Sequence, residues 1–180
     1  MRKLKTRYIC FEKRDFMETI VLNKRQIEQK TRRIAHQILE NTFEESELYI
    51  AGISGNGVPF ATKIVEIVKE LSDQKVHFFE IQLDKDEPLK HEITCTIDTK
   101  KLAGATIILI DDVINSGKTM QYAVIKLLES PVKSIKTVVL VDRKHRRYPI
   151  KADYVGLTLS TTLKNHVEVA YSPEPKAFLS

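Results

Sequence analysis

Two adjacent carboxylates and a small polar turn stand close together in the second half of the chain. Asp111 and Asp112 follow an apolar run over residues 105–110 that is typical of a buried strand. After two more apolar residues, a polar turn leads into a helical pattern; it consists of Asn115, Ser116, Gly117, Lys118 and Thr119. Backbone N–H groups at the start of a helix can hold a phosphate, and carboxylates suit sugar hydroxyls or a metal ion shared with them. The stretch therefore predicts a site for a phosphorylated ribose.

A phosphate-binding P-loop is the nearest competing interpretation of the same turn. Gly117, Lys118 and Thr119 would supply the end of that motif, but its first glycine would have to stand at position 112. Asp112 stands there instead, and its carboxylate would repel the phosphates that the loop should wrap. An ordinary turn with a solvated acidic end also stays open, because Asp, Asn, Ser and Gly are common turn residues.

Strand patterns alternate with helical patterns along the rest of the chain. A first helix is predicted to begin after Asn23, because Gln26 stands at the position that completes a capping box. Further strands are predicted over residues 48–53, 76–83, 92–97, 135–141, 153–159 and 166–170. The alternation predicts an α/β fold: an open, mainly parallel twisted sheet flanked by helices.

A second glycine-rich turn follows the strand predicted over residues 48–53. It consists of Ser54, Gly55, Asn56 and Gly57, and a proline suited to the first turn of a helix comes soon after. Ligands of an open parallel sheet bind at the carboxyl ends of its strands, where the direction of the connections reverses. We therefore expect this turn to form a second side of the same site, although a tight turn without a ligand explains the glycines equally well.

Length and composition are those of one globular α/β domain. The chain has 180 residues, of which 42% are apolar and 29% charged, and its formal net charge of +5 suits phosphate-bearing ligands or RNA. Residues 1–18 are predicted to form a basic arm without the apolar core of a signal peptide, and no apolar run is long enough to span a bilayer. Cys10 and Cys95 lack metal-ligand spacing and are expected to be reduced thiols of a cytoplasmic protein.

The central stretch resembles the ribose-phosphate signature of the type I phosphoribosyltransferases. Members of that family show an apolar strand, two acidic residues, a few variable residues and a Thr/Ser-Gly-x-Thr turn, which residues 107–119 match. Residues 33–38 and 139–156 resemble blocks of one subgroup, the bifunctional pyrimidine-operon attenuators and uracil phosphoribosyltransferases. The resemblance spans roughly residues 19–170 and implies one such domain over residues 19–180. The purine-salvage branch has a similar turn and stays possible.

The resemblance implies a role for each part of the site. Asp111 and Asp112 would hold the ribose hydroxyls of phosphoribosyl pyrophosphate, directly or through Mg²⁺. Residues 115–119 would wrap the 5′-phosphate, and residues 54–57 would meet the pyrophosphate. A small hood over the nucleobase would include Arg143, Asp153, Tyr154 and Val155. The enzyme would act as a homodimer or higher oligomer, away from membranes, on uracil or another pyrimidine, with a purine possible.

Two departures from the subgroup fall on the pyrophosphate side. The subgroup usually has a Lys-Thr-Arg-Gly turn where this chain has residues 54–57, so the arginine expected to bind pyrophosphate is missing. Its flexible loop normally carries Tyr-Arg-Asp, whereas residues 83–86 read Leu-Asp-Lys-Asp. Losing two charge-assisted contacts removes on the order of 3 kcal/mol of transition-state stabilisation. Lys85 and Lys90 are the candidates to replace them.

Three functions are therefore considered, in this order. The first is phosphoribosyl transfer to a nucleobase. The second is a nucleotide-responsive RNA-binding regulator, because the first predicted helix has a basic face and a basic run covers residues 143–147. The candidate RNA contacts are Arg32, Arg33, His36 and Arg146. The third is a ribose-phosphate sensor without catalysis, which the two departures would explain.

Overall fold

The computed structural model describes residues 19–160 and 166–179, so the predicted arm over residues 1–18, with Cys10, lies outside it. The strands are β1 Thr19–Leu22, β2 Glu47–Ile53, β3 Lys75–Gln82, β4 Thr94–Cys95, β5 Thr106–Ile114, β6 Ser134–Asp142, β7 Tyr154–Thr158, β8 Val167–Ala170 and β9 Lys176–Leu179. The helices are α1 Lys24–Asn41, α2 Gly57–Leu71 and α3 Lys118–Leu127. No helix among the described residues combines the length and apolar character needed to cross a membrane.

Six strands form one sheet with the order β4-β3-β2-β5-β6-β7. All neighbours run parallel except β4, which returns antiparallel to β3 as the second arm of the predicted hairpin. The chain winds outward from β2 towards β3 and then crosses back to β5, so the direction of the connections changes beside β5. The predicted open, mainly parallel sheet is confirmed, and β5 lies at the position where such sheets bind ligands.

Both faces of this sheet are covered by helices. Ile108 and Ile110 of β5 point into a core formed with α1 and α2, and the alternate residues Ile107 and Leu109 point into a second core with α3. Gly52 lets α2 approach closely, because a Cβ there would lie 3.1 Å from the Cβ of Ala61. A parallel sheet buried on both faces explains why its strands read as continuous apolar runs.

Local signals predicted the start of α1 correctly. Asn23 and Gln26 form the reciprocal capping box, each side chain bonded to the other residue's backbone N–H. On α3, the buried residues are Met120, Ala123 and Leu127, whereas Ile125 and the C-cap residue Leu128 are 51% and 60% exposed.

The central strand is longer than its apolar run. β5 continues through both aspartates to Ile114, because β6 extends beyond β2 and keeps pairing with it, as in Val113 opposite Val141. The two acids therefore belong to a strand and do not follow it. Pairing with β6 on either side of Asp112 holds their backbone in place.

A separate antiparallel sheet of three strands, in the order β1-β9-β8, joins the two ends of the described chain. It lies beside the carboxyl ends of the main sheet, because the side-chain amide of Asn56 donates to the carbonyl of Val169 at 2.9 Å. We identify it as the hood. The strand β9 is absent from the sequence prediction.

Three residues predicted to contact the nucleobase lie in or beside the main sheet. Tyr154 and Val155 pair with β6 inside the main sheet. Asp153 comes directly before them, and its carboxylate accepts from the backbone N–H of Thr137 at 2.8 Å and from its hydroxyl at 2.9 Å. These bonds hold the amino-terminal part of β7 against β6, and a contact of these residues with the nucleobase stays a prediction.

Candidate active site

Asp111 and Asp112 form a buried pair of carboxylates at the centre of the sheet edge. They are 3% and 7% exposed, and the backbone N–H of Asp112 donates to Oδ1 of Asp111 at 3.0 Å. The ammonium of Lys85, on the loop after β3, lies 3.1 Å from Oδ1 of Asp111 and 3.9 Å from Oδ1 of Asp112. The pair is therefore met by a cation supplied by the chain itself.

Burial raises the pKa of Asp111, and the neighbouring Asp112 carboxylate raises it further, while Lys85 opposes the shift. A cation placed between the two carboxylates would offset their mutual repulsion. Mg²⁺ is a cation that could do so. The described residues hold no cluster of three or more His, Cys, Asp or Glu side chains suited to a metal ion. The two carboxylates fit Mg²⁺ that takes its other ligands from water and substrate oxygens, as Mg²⁺ commonly does.

The phosphate-type turn lies directly beyond the acids at the start of α3. Gly117 has φ +84°, and a Cβ there would lie 2.7 Å from Cγ2 of Ile150, so this position requires glycine. Ser116 Oγ accepts from the N–H of Lys118 at 3.3 Å, and its carbonyl accepts from the N–H groups of Arg147 and Tyr148. A small hollow of about 50 Å³ is lined by Asp111 and residues 113–120. Asp111 and the turn over residues 115–119 therefore line the same hollow.

The second glycine-rich turn reaches the acid pair from the β2 side. A Cβ at Gly57 would lie 3.0 Å from Oδ1 of Asp111, so the absent side chain lets the start of α2 approach the carboxylate. Gly55 has φ +83°, and Ser54 donates its N–H to the carbonyl of Ile81 at 2.9 Å. The start of α2 therefore lies against Asp111, and the contact of residues 54–57 with pyrophosphate stays a prediction.

A basic loop borders the site on the β6 side. It encloses a cavity of about 590 Å³ lined by Asn115, Ser116, Arg143, Lys144, His145, Arg146, Arg147 and His166. Asp142 organises the loop: its carboxylate accepts from the N–H of Lys144 at 2.9 Å and pairs with the Arg146 guanidinium. Lys144 itself has φ +56°, a strained backbone of the kind found at binding sites. The cavity is large enough for a nucleobase.

The order of the strands places different loops on the two sides of the acid pair. The turn after β2 and the loop after β3 lie on one side of β5, and the basic loop after β6 lies on the other. A ribose held on the Asp111 and Asp112 carboxylates would have its anomeric carbon between these two sides. A leaving group on the β2 side and an incoming group on the β6 side would then face each other across the reacting carbon.

Sequence reasoning missed several residues beside the acids. Lys144 and Arg147 line the cavity on the β6 side, and both belong to the basic run over residues 143–147 of the sequence. His166 gives no such signal, because the fold brings it there through β8. Tyr171 also lies near the acid pair. Burial raises the pKa of its phenol, and the Asp112 and Asp111 carboxylates raise that pKa further. Its hydroxyl has no hydrogen-bond partner within the described residues.

The candidate RNA contacts differ in what they already bind. Arg33 ties α1 to the edge strand β7 by donating to two of its carbonyl oxygens, at 2.8 and 3.0 Å. Arg32 pairs with a glutamate of α2 at 3.4 Å, and Arg146 lies at the cavity described above. His36 is exposed on α1. Arg33 therefore has a structural role, and RNA binding stays a prediction.

A parallel sheet whose central strand presents two buried acids to a phosphate-type turn defines the type I phosphoribosyltransferase class. The chain belongs to this family: the profile of the phosphoribosyl transferase domain matches residues 18–174. Members transfer a phosphoribosyl group to a nucleobase, and the expectation of an enzyme of this kind is confirmed.

Curated relatives place the chain more narrowly. It is 35% identical over 169 residues to the bifunctional protein PyrR of Clostridium novyi, a match covering 86% of this chain and 91% of the relative. It is also 35% identical over 160 residues to the bifunctional protein PyrR of Corynebacterium glutamicum, covering 83% of each. The subgroup indicated by the sequence blocks is thereby confirmed.

Solved structures agree on the fold. The hypoxanthine phosphoribosyltransferase of Trypanosoma cruzi superposes with a TM-score of 0.72 at 17% identity, covering 90% of this chain and 95% of that one. A hypoxanthine-guanine phosphoribosyltransferase from Bacillus anthracis gives 0.68 at 22% identity, covering 78% and 81%. At these identities the likeness is one of architecture.

The hydrogen bonds of Asp153 lead to a first prediction. Replacing Asp153 by Ala should lower the free energy of unfolding by about 1–3 kcal/mol, because Thr137 loses an acceptor for two donors. The KM for the nucleobase should stay within about twofold, since the Asp153 carboxylate is already bonded to Thr137. Urea unfolding and steady-state kinetics measure both quantities, with the exposed Asp73→Ala as the control. A large rise in KM without loss of stability would show that Asp153 contacts the nucleobase instead.

Proposed function

We propose that this chain transfers the phosphoribosyl group of phosphoribosyl pyrophosphate to a pyrimidine base, with uracil favoured, in nucleotide salvage. The observation that carries the proposal is the hollow that Asp111 lines together with residues 115–119, with the buried Asp112 next to Asp111 in β5. A pentose 5-phosphate presents hydroxyls and a phosphate in the same combination. The resemblance to the uracil-using subgroup supports the choice of base.

The reaction replaces a C–O bond by a C–N bond at the anomeric carbon. Pyrophosphate leaves towards the β2 side with the electron pair of the C–O bond, and a base nitrogen attacks from the β6 side and loses its proton to solvent. The sugar gains positive character in between, as in glycosyl transfer generally. The carboxylates of Asp111 and Asp112 stabilise that charge, because they are fixed in the ladder of β5 before the substrate arrives.

Magnesium belongs to this proposal as the partner of phosphoribosyl pyrophosphate. When bound, Mg²⁺ offsets the negative charge that develops on the leaving pyrophosphate. The buried acid pair would hold it, directly or through the ribose hydroxyls. The amides of residues 115–119 orient the 5′-phosphate and thereby the sugar ring.

Pyrophosphate release with each base in turn tests the proposal. The full chain, phosphoribosyl pyrophosphate and Mg²⁺ are incubated with uracil, cytosine, hypoxanthine, guanine or no base. We expect release that requires a base and is fastest with uracil. Fastest release with a purine would assign the chain to the other branch, and binding of phosphoribosyl pyrophosphate without release would make it the sensor considered above.

An RNA-binding regulator is a second candidate, supported by the exposed basic residues of α1, among them Arg25 and His36. The observation that favours it is the position of the basic loop after β6 at the mouth of the nucleotide site, so that nucleotide and RNA could influence each other. Real phosphate contacts predict an affinity for RNA that falls steeply with salt concentration.

The predicted homodimer is a separate question. Size-exclusion chromatography in the same buffers tests it.

A further inference from the structure

The hood carries a buried hydroxyl that the proposed reaction leaves unused. It belongs to Tyr171, which directly follows β8, and it has no hydrogen-bond partner within residues 19–160 and 166–179. A buried hydroxyl that has lost its hydrogen bonds to water and gained none in return destabilises the folded protein. Such a group in a native fold calls for a role that the free protein does not fulfil.

Apolar contacts hold the Tyr171 ring in place. The ring lines a cavity of about 330 Å³ between α1 and α2, together with Ile27 of the first helix and Pro59 and Phe60 of the second. It also packs against the core that the main sheet forms with these two helices. The ring is therefore fixed without help from its hydroxyl, which stays available for another contact.

The strand β8 brings Tyr171 to the acid pair. β8 contacts β5, and its Val169 carbonyl, two residues before Tyr171, accepts from the side-chain amide of Asn56 at 2.9 Å. The next residue, Gly57, is the position whose added Cβ would lie 3.0 Å from Oδ1 of Asp111. The start of α2 thus contacts both an acid of the pair and the strand that leads to Tyr171.

The two acids differ in the donors that already reach them. Lys85 lies 3.1 Å from Oδ1 of Asp111 but 3.9 Å from Oδ1 of Asp112, and the backbone N–H of Asp112 adds a bond to Asp111. After burial, the Asp112 carboxylate is the largest cause of the raised pKa of Tyr171, ahead of Asp111. The donor without an acceptor is therefore near the acid with the longer contact to the cation.

We propose that Tyr171 is a positioning residue whose hydroxyl donates to the Asp112 carboxylate when a ribose phosphate is bound. In the free protein the acids face Lys85. A ribose phosphate that takes the place of Lys85 lets Asp112 turn, and the bond from Tyr171 then orients this carboxylate towards a ribose hydroxyl. Tyr171 keeps its proton throughout. This inference rests on the proposed function and assigns a task to the unused hydroxyl.

The proposal makes the stability of the free protein and its affinity for ligand respond differently to one change. Tyr171→Phe removes only the hydroxyl. The free energy of unfolding should not fall, because the hydroxyl has no bond to lose in the free protein. The affinity for a ribose phosphate should fall, because the complex loses a hydrogen bond to a charged acceptor. A hydroxyl with a purely structural role would give the reverse: lower stability and unchanged affinity.

A double-mutant cycle in the full chain tests whether Tyr171 acts through Asp112. Wild type, Tyr171→Phe, Asp112→Ala and the double variant are titrated by calorimetry with ribose 5-phosphate and with phosphoribosyl pyrophosphate, each with Mg²⁺. We expect Tyr171→Phe to lower both affinities about 10-fold, since the two ligands share the ribose. In the Asp112→Ala background the same change should cost less than about twofold.

Tyr49→Phe is the matched control. Tyr49 is also partly buried, but it lies near the amino end of β2, stacked on His77 at 4.5 Å between ring centroids. Removing its hydroxyl should leave both affinities unchanged. Urea unfolding of the free proteins gives the stabilities, and it decides together with the Tyr171→Phe affinities if Asp112→Ala binds too weakly for calorimetry.

The outcomes distinguish this inference from the proposed function. If the wild-type protein binds neither sugar phosphate, the proposed function fails. If it binds them and Tyr171→Phe binds as tightly, or loses stability without losing affinity, the role of Tyr171 is refuted while the proposed function stands. Equal losses of affinity with and without the Asp112 carboxylate would show that Tyr171 does not act through it, which also overturns the inference.

Discussion

Replacing Asp111 and Asp112 together by Asn should abolish phosphoribosyl transfer and yield a more stable protein. Activity should fall by at least about 10³-fold, because the neutral amides no longer stabilise positive charge on the sugar. The free energy of unfolding should rise by about 1–3 kcal/mol at pH 8, because the cost of ionising two adjacent buried carboxyl groups is removed and Lys85 can turn to solvent. Pyrophosphate release and urea unfolding measure the two effects.

The stability gain should depend on pH in a direction set by Asp111. Its pKa is raised by burial and by the Asp112 charge, so the folded protein holds this proton at pH values where the unfolded chain has released it. Unfolding of the wild type therefore becomes easier as the pH rises above about 4, the ordinary value of an aspartate. The melting temperature of Asp111→Asn should exceed that of the wild type by more at pH 8 than at pH 4.

The exposed Asp73→Asn serves as control, with no expected change in activity or in the pH dependence of stability. An Asp111→Asn protein that is less stable than the wild type at pH 8 would show that the ion pair with Lys85 outweighs the cost of burial. An active double variant would remove the acid pair from the mechanism altogether.

Gly117→Ala should have the second largest effect on function. A Cβ at this position meets Ile150 at 2.7 Å, and the backbone has φ +84°, so the turn must shift to accept it. We expect kcat/KM to fall by about 100-fold, since a displaced phosphate moves the sugar away from the acids. The free energy of unfolding should fall by about 2–3 kcal/mol, from backbone strain and steric overlap together.

Gly104→Ala is a matched control for this variant. Gly104 has φ +71°, but an added Cβ there meets no atom within 4 Å. It should lose about 1–2 kcal/mol of stability from the backbone conformation and keep wild-type kinetics. The difference in kcat/KM between the two variants isolates the effect of the turn at Gly117. Equal kinetics in both would mean that the turn does not position the phosphate.

The parts of the fold that short sequence signals determine were predictable. The capping box at Asn23 fixes the start of α1, and the apolar runs of β2, β5 and β6 are continuous because helices cover both sheet faces. The acid pair and the two turns were predictable as one site, because parallel strands bring their carboxyl ends to a common edge.

The remaining features depend on contacts between distant parts of the chain. Nothing near Asp153 indicates that its carboxylate bonds to Thr137, and nothing near Lys85 indicates that its ammonium reaches Asp111 rather than solvent. The hood joins β1 to β9 across almost the whole chain, so its pairing is set by the fold and not by local pattern.

A crystal structure of the full chain with Mg²⁺ and ribose 5-phosphate tests the central claim most directly. We predict the phosphate within hydrogen-bond distance of the backbone N–H groups of residues 116–119. The C2 and C3 hydroxyls should lie on Asp111 and Asp112, directly or through the metal ion, with the Lys85 ammonium displaced from the pair. A phosphate bound instead to the basic loop over residues 143–147, with Lys85 still seated on the carboxylates, would contradict the account.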